Sequence, residues 1–186
     1  MPDKSSDLFP ESKTFPESET LEEQPMETMH DAQMLSHLRQ DARKGLTYIS
    51  KNTGIPVSTL FDRLKATKAI LRHTCLLHYP ALGFSCKALL LFRTNKNHKA
   101  ALGQFLCRHP YINTVHKINN GNDFCAEGIF RDLSHLEQFL DSIEETFSIK
   151  TSTVHYLLDE LKREGFLMDP DLAIETMQGT AGNPIL

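Results

Sequence analysis

The 186 residues suffice for one ordinary domain or two small ones, the 40% hydrophobic content is enough for packed cores, and the longest apolar runs, such as Ala88 to Phe92, fall far short of the roughly 20 residues a membrane helix needs. The polar, acidic start lacks the basic opening and continuous apolar stretch of a secretory signal, so a cytoplasmic protein with no membrane span is expected. The formal net charge of −4 is unevenly spread: residues 1 to 30 carry −6, residues 31 to 72 carry +5 and the remainder −3, which puts positive charge where a nucleic-acid footprint could lie.

Met1 to about His30 is rich in Pro, Ser and Glu and has no apolar periodicity. Such a stretch buries too little surface to offset its ordering entropy, so 1–30 is expected to be a disordered acidic tail. From Asp31 the spacing becomes helical, with Met34, Leu35 and Leu38 on one face. Leu46 to Asn52 predicts a second short helix, ended by Thr53 and by Gly54, which can take a positive φ. Pro56 opens a third helix that runs to about Ala69, with Val57, Leu60, Phe61 and Leu64 as its apolar stripe. Three helices, the last two joined at a Gly turn, predict a helix-turn-helix over residues 31–72, although a plain bundle with a solvated basic face has the same outline. The polar residues of the third helix favour a nucleic-acid surface. Ser58 and Thr59 permit close approach, Asp62, Arg63 and Lys65 lie one turn on, and Thr47 joins them from the second helix.

Arg72 to Tyr79 is expected to be a strand or wing, within a linker over 73–84 that Pro80 and Gly83 break. Cys86 to Phe92 reads as a strand apolar on both faces, Asn97 to His109 as a helix, and Tyr111 to Ile118 as a second strand. Asn120-Gly121 is a strong hairpin signal, which returns Phe124 to Arg131 antiparallel. Leu133, Leu136, Leu140, Ile143 and Phe147 mark an amphipathic helix, with Ser134 and Glu137 suited to a capping box, before a strand at Thr151 to Leu158. The order β-α-β-β-α-β is the ferredoxin-like motif, so the fold class expected is α+β: an N-terminal winged helix-turn-helix and a C-terminal ferredoxin-like sandwich over 85–168, followed by a tail over 169–186.

In this order and spacing the chain resembles the Lrp/AsnC family of transcription regulators over about residues 31 to 168. The resemblance rests on four stretches. Gly54-Ile55-Pro56-Val57-Ser58-Thr59-Leu60-Phe61-Asp62-Arg63-Leu64-Lys65 is similar to the family's recognition-helix pattern, and Ala81-Leu82-Gly83-Phe84 to the close of its linker strand. Asn120-Gly121-Asn122-Asp123-Phe124 is similar to its Gly-x-x-Asp-aromatic hairpin, and Thr151-Ser152-Thr153-Val154 to its Thr-rich last strand. Ala69 and Asn120 stand where the family usually has Gly, and Pro56 where it has a hydroxyl residue. The resemblance implies a sequence-specific binder of double-stranded DNA that assembles as a homodimer or higher homo-oligomer. It also implies an amino acid or related metabolite as effector near the hairpin, with Asn120, Gly121, Asn122 and Asp123 as candidate contacts.

Two other readings share the scaffold. Siroheme decarboxylases also resemble the family, but they carry His and Arg or Tyr clusters where this chain offers only His116 and Lys117. A protein-binding module would use the same helices against protein. Cys75, Cys86, Cys107 and Cys125 form no C-x-x-C pair and sit among apolar residues, which predicts buried thiols; redox sensing would need an exposed thiolate near positive charge. His73, Cys75 and His78 have ligand chemistry but no fourth partner nearby in sequence, so neither a metal nor a cofactor is expected, and no catalytic constellation stands out.

Overall fold

The computed structural model describes residues 29–178; most of the stretch read as an acidic tail, and residues 179–186, lie outside them. In chain order the elements are α1 (Met29–Gln40), α2 (Leu46–Thr53), α3 (Val57–Ala66), β1 (Cys86–Thr94), α4 (Lys96–Arg108), β2 (Ile112–Lys117), β3 (Phe124–Phe130), α5 (Leu133–Thr146), β4 (Ile149–Tyr156) and α6 (Pro170–Met177). Among the described residues, one compact unit spans Leu77–Glu160, and the other joins residues 29–76 to residues 161–178.

In the helical unit, Met34 of α1, Ile49 of α2, Ile55 of the turn and Leu60 of α3 form the buried centre, with Leu38, Leu46 and Leu64 packed around it. Gly54 closes α2 at φ 74°, and its N–H donates to the Ser50 carbonyl at 2.9 Å, so the left-handed turn between the helices requires this glycine. α6 packs along α1. It starts where Asp169 Oδ1 accepts the N–H groups of Asp171 and Leu172 at 3.0 and 3.2 Å, and Pro170 occupies the first turn. Arg39 anchors the stretch before it, donating to the carbonyls of Glu164 at 2.6 Å and Phe166 at 3.2 Å.

No strand forms between Arg72 and Tyr79, so the expected wing is absent from the described residues. Residues 71–78 are exposed, followed by one 3-10 turn at Tyr79–Leu82 that Gly83 closes at φ 83°. An extended segment with no strand beside it has no ladder to join, whatever its composition.

In the other unit the sheet order is β2-β3-β1-β4, all antiparallel, with β1 central. This is the expected ferredoxin-like arrangement. Ala88, Leu90 and Phe92 of β1 and Phe124, Ala126 and Phe130 of β3 face Leu102 and Leu106 of α4 and Leu136, Phe139, Leu140 and Ile143 of α5. The opposite face of β1 holds Leu89 and Leu91, half-buried, because side chains alternate along a strand. The capping box expected at Ser134 and Glu137 does not form. Asp132, one residue before the helix, caps α5 instead, its Oδ1 accepting the His135 N–H at 2.8 Å.

Candidate nucleic-acid interface and hairpin site

On α3, Leu60 is the fully buried position and Ser58, Phe61, Asp62 and Lys65 are exposed. From one turn to the next these positions stand three or four residues apart, which makes them one continuous outward stripe. Thr59 is half-buried at its edge, and Thr47 of α2 is exposed. Two members of the expected apolar stripe are therefore on the outside: Val57 is 41% and Phe61 57% exposed. At about 100° per residue, the buried direction is rolled by roughly 60° from the centre of that stripe, toward Arg63.

The cause is visible at Arg63, whose Nη1 donates to Asp31 Oδ1 at 2.9 Å and Oδ2 at 3.0 Å. Asp31 lies in the first turn of α1, so the pair ties α3 to α1. Both side chains are largely covered, at 27% and 15% exposure. Arg63 thus works here as an internal tie. Loss of either partner leaves a partly desolvated charge behind, so Arg63→Ala and Asp31→Ala should each lower stability by about 1–3 kcal/mol. Because they remove one interaction, the double variant should cost clearly less than the two losses added together. Urea unfolding of the four proteins checks this; simple additivity would refute the tie.

The hairpin follows the Asn-Gly signal, with Asn120 at φ 62° and Gly121 at φ 101°, the two positive values a tight reversal between β2 and β3 requires. Asn120 and Gly121 are exposed, while Asn122 and Asp123 are half-buried. Asp123 faces inward, where Oδ2 accepts the Thr94 N–H at 2.9 Å and Oδ1 accepts Lys99 Nζ at 2.6 Å. Its own N–H donates to the Phe92 carbonyl at 2.8 Å. Asp123 thereby fastens the hairpin to the end of β1 and to α4, a role its place beside a turn does not reveal. A depression of about 400 Å³ lined by Phe105, Arg108, His109 and Phe147 lies beside α4, and no hairpin residue lines it.

The Lys99 hydrogen bond, followed by the Thr94 N–H, holds the Asp123 carboxyl below the usual carboxylate range. A lowered folded pKa stabilises the protein above the unfolded value of about 3.9, and that contribution is lost as pH falls through the folded pKa. Asp123→Asn should therefore cost about 1–3 kcal/mol at pH 7. The gap from the parent should narrow steadily below about pH 4. Denaturant melts across that range test it, and a gap independent of pH would rule the ion pair out as the cause.

None of the four cysteines is fully buried, against expectation: Cys75 and Cys107 are exposed and Cys86 and Cys125 half-buried. Cys75 falls on the uncovered linker and Cys107 on an outward position of α4, where apolar neighbours in sequence do not imply cover. Burial, then the nearby carboxylates Asp132 and Glu127, push the thiols of Cys86 and Cys125 up, which makes them poor nucleophiles. Among the described residues, no three His, Cys, Asp or Glu side chains converge as metal ligands. No helix among them is long and apolar enough to cross a membrane.

Residues 87–167 match the family model of the Lrp/AsnC ligand binding domain. The HTH-type transcriptional regulator FL11 of Pyrococcus furiosus is 25% identical over 140 residues, covering 70% of this chain and 93% of that protein. An uncharacterized HTH-type transcriptional regulator of Pyrococcus horikoshii is 20% identical over 143 residues, covering 75% and 96%. Among solved structures, the transcriptional regulator NMB0573 of Neisseria meningitidis in complex with L-Met superposes with a TM-score of 0.68 at 16% identity, covering 72% of this chain and 91% of that one. AsnC of E. coli gives a TM-score of 0.66 at 13% identity, covering 73% and 95%. With helices α1 to α3 ahead of a β-α-β-β-α-β domain that matches the Lrp/AsnC ligand binding domain, the chain is similar over 70–75% of its length to HTH-type transcriptional regulators and shares the fold of AsnC.

Proposed function

We propose that this protein is a sequence-specific DNA-binding regulator that works in the cytoplasm as a homodimer or higher homo-oligomer and responds to an amino acid or related metabolite. The observation that carries the reading is the outward stripe of α3, Ser58, Phe61, Asp62 and Lys65, in a segment with a net charge of +5. Thr47 borders it from α2, and Thr59 lies at its edge. Inserted in a major groove, this face meets base edges, while Lys51, Lys65, Lys68 and Arg72, all exposed, are available to the phosphates. Arg63 contributes by setting the roll of α3 through Asp31, not by direct contact.

Dimerisation suits the half-buried Leu89 and Leu91 on the face of β1 turned away from α4 and α5. The Neisseria meningitidis regulator is a complex with L-Met, which supports an amino-acid effector. Here Asn120, Gly121 and Asn122 offer amide and backbone groups, with Asp123 holding the turn in place. Titration of random-sequence and selected duplexes at two salt concentrations tests the DNA reading. Affinity should fall steeply with salt, and Lys65→Ala should reduce the slope by about one ion per subunit. Flat salt dependence would instead favour a module that binds protein.

A further inference from the structure

We propose that Phe61 is a specificity-determining residue that reads the 5-methyl group of a thymine in the major groove, with Val57 beside it; this rests on the DNA-binding reading above. The two side chains are 41% and 57% exposed and stand four residues apart, so they adjoin on the helix surface. Single exposed apolar residues are commonplace, but here Phe61 lies in the outward stripe of α3 itself and Val57 borders it. The pair also lies toward the N-terminal part of α3, the end from which a recognition helix of this motif contacts base edges.

The chemistry of the stripe narrows what it can read. Arg63 is held by Asp31 on the inner side, and among the described residues of α3 the outward stripe has no arginine. The two-pronged recognition of guanine O6 and N7 by arginine is therefore not available from α3 in this arrangement. Lys65, at the C-terminal end of the stripe, supplies a cation of ordinary phosphate-binding type. Phe61 and Val57 offer only apolar surface, and the apolar feature that a base pair presents in the major groove is the thymine methyl. The net charge of +5 over residues 31–72 complements the duplex that would carry it.

The test starts from duplexes enriched from a random-sequence pool by the full chain. Each thymine is then replaced singly by deoxyuridine, which keeps every hydrogen-bonding group and removes only the methyl. The parent should bind roughly four-fold more weakly for one critical position per subunit, the worth of one buried methyl-sized group. Phe61→Ala, whose site is exposed and whose melt should match the parent's, should be indifferent to that replacement and should enrich sequences without that thymine. Phe61→Leu should keep part of the sensitivity. Equal binding of the parent to all thymine and uracil duplexes overturns the assignment while leaving sequence-specific binding intact, as does undiminished uracil sensitivity in Phe61→Ala. A drop in oligomeric state for Phe61→Ala in light scattering also overturns it, assigning the side chain to a protein contact. Failure to enrich any sequence overturns the DNA-binding reading and this assignment with it.

Discussion

Leu60→Ala is expected to destabilise the helical unit by about 2–5 kcal/mol, the range for removing a fully buried leucine side chain. The reason for placing so large an effect here is the size of the centre it would empty. Met34, Ile49, Ile55 and Leu60 are its fully buried members, one from each helix and one from the turn. Leu60 alone represents α3 among them, so its loss uncouples the proposed recognition helix from the other two. Domains as a rule are stable by only about 5–15 kcal/mol, and a unit this small has little in reserve. Amide exchange should show the loss in α1 to α3, and specific DNA affinity should fall with it. Phe61→Ala, one residue along but exposed, should leave the melt unchanged. If the two variants melt alike, the observed roll of α3 is wrong.

Position by position, the sequence was legible where local chemistry settles the conformation. Gly54 ends α2 because a left-handed residue is needed there, and Asn120-Gly121 turns the hairpin for the same reason. The 3.6-residue spacing of α5 and the alternation in β1 and β3 follow from which faces the core covers. What sequence concealed depends on partners far along the chain. Arg63 reads as an outward basic residue until Asp31, 32 positions earlier, claims it. The apolar spacing of α3 fits two rolls of the helix, and that ion pair selects one of them. Asp123 is similar: Thr94 and Lys99, 29 and 24 positions earlier, turn a hairpin carboxylate into a structural tie. Two local signals were also available. Asp132 precedes α5 as a cap residue, and Asp169-Pro170 is a helix start placed ahead of α6.

The second large effect is expected at the inner face of β3, where Phe124, Ala126, Gly128 and Phe130 point toward the helices in alternation with outward residues. Phe130 is fully buried, with its ring centroid 5.2 Å from Phe139 of α5 and 6.1 Å from Tyr111. Phe130→Ala should therefore cost about 3–5 kcal/mol, since both the transfer of the ring and the cavity left behind count against the fold. Gly128 explains how the ring fits. A Cβ at that position would stand 2.8 Å from Phe130 Cζ and 3.4 Å from Leu90 Cδ1, so Gly128→Ala forces a packed ring to move and should cost about 1–3 kcal/mol. Combining the two changes separates this cause from a general intolerance of side chains in β3. With the ring gone, the methyl of Gly128→Ala enters vacated space, and the double variant should be no less stable than Phe130→Ala alone. Denaturant unfolding of the parent, both single variants and the double variant measures the coupling. Strictly additive losses would show that Gly128 is required for its backbone and not for the room it gives Phe130.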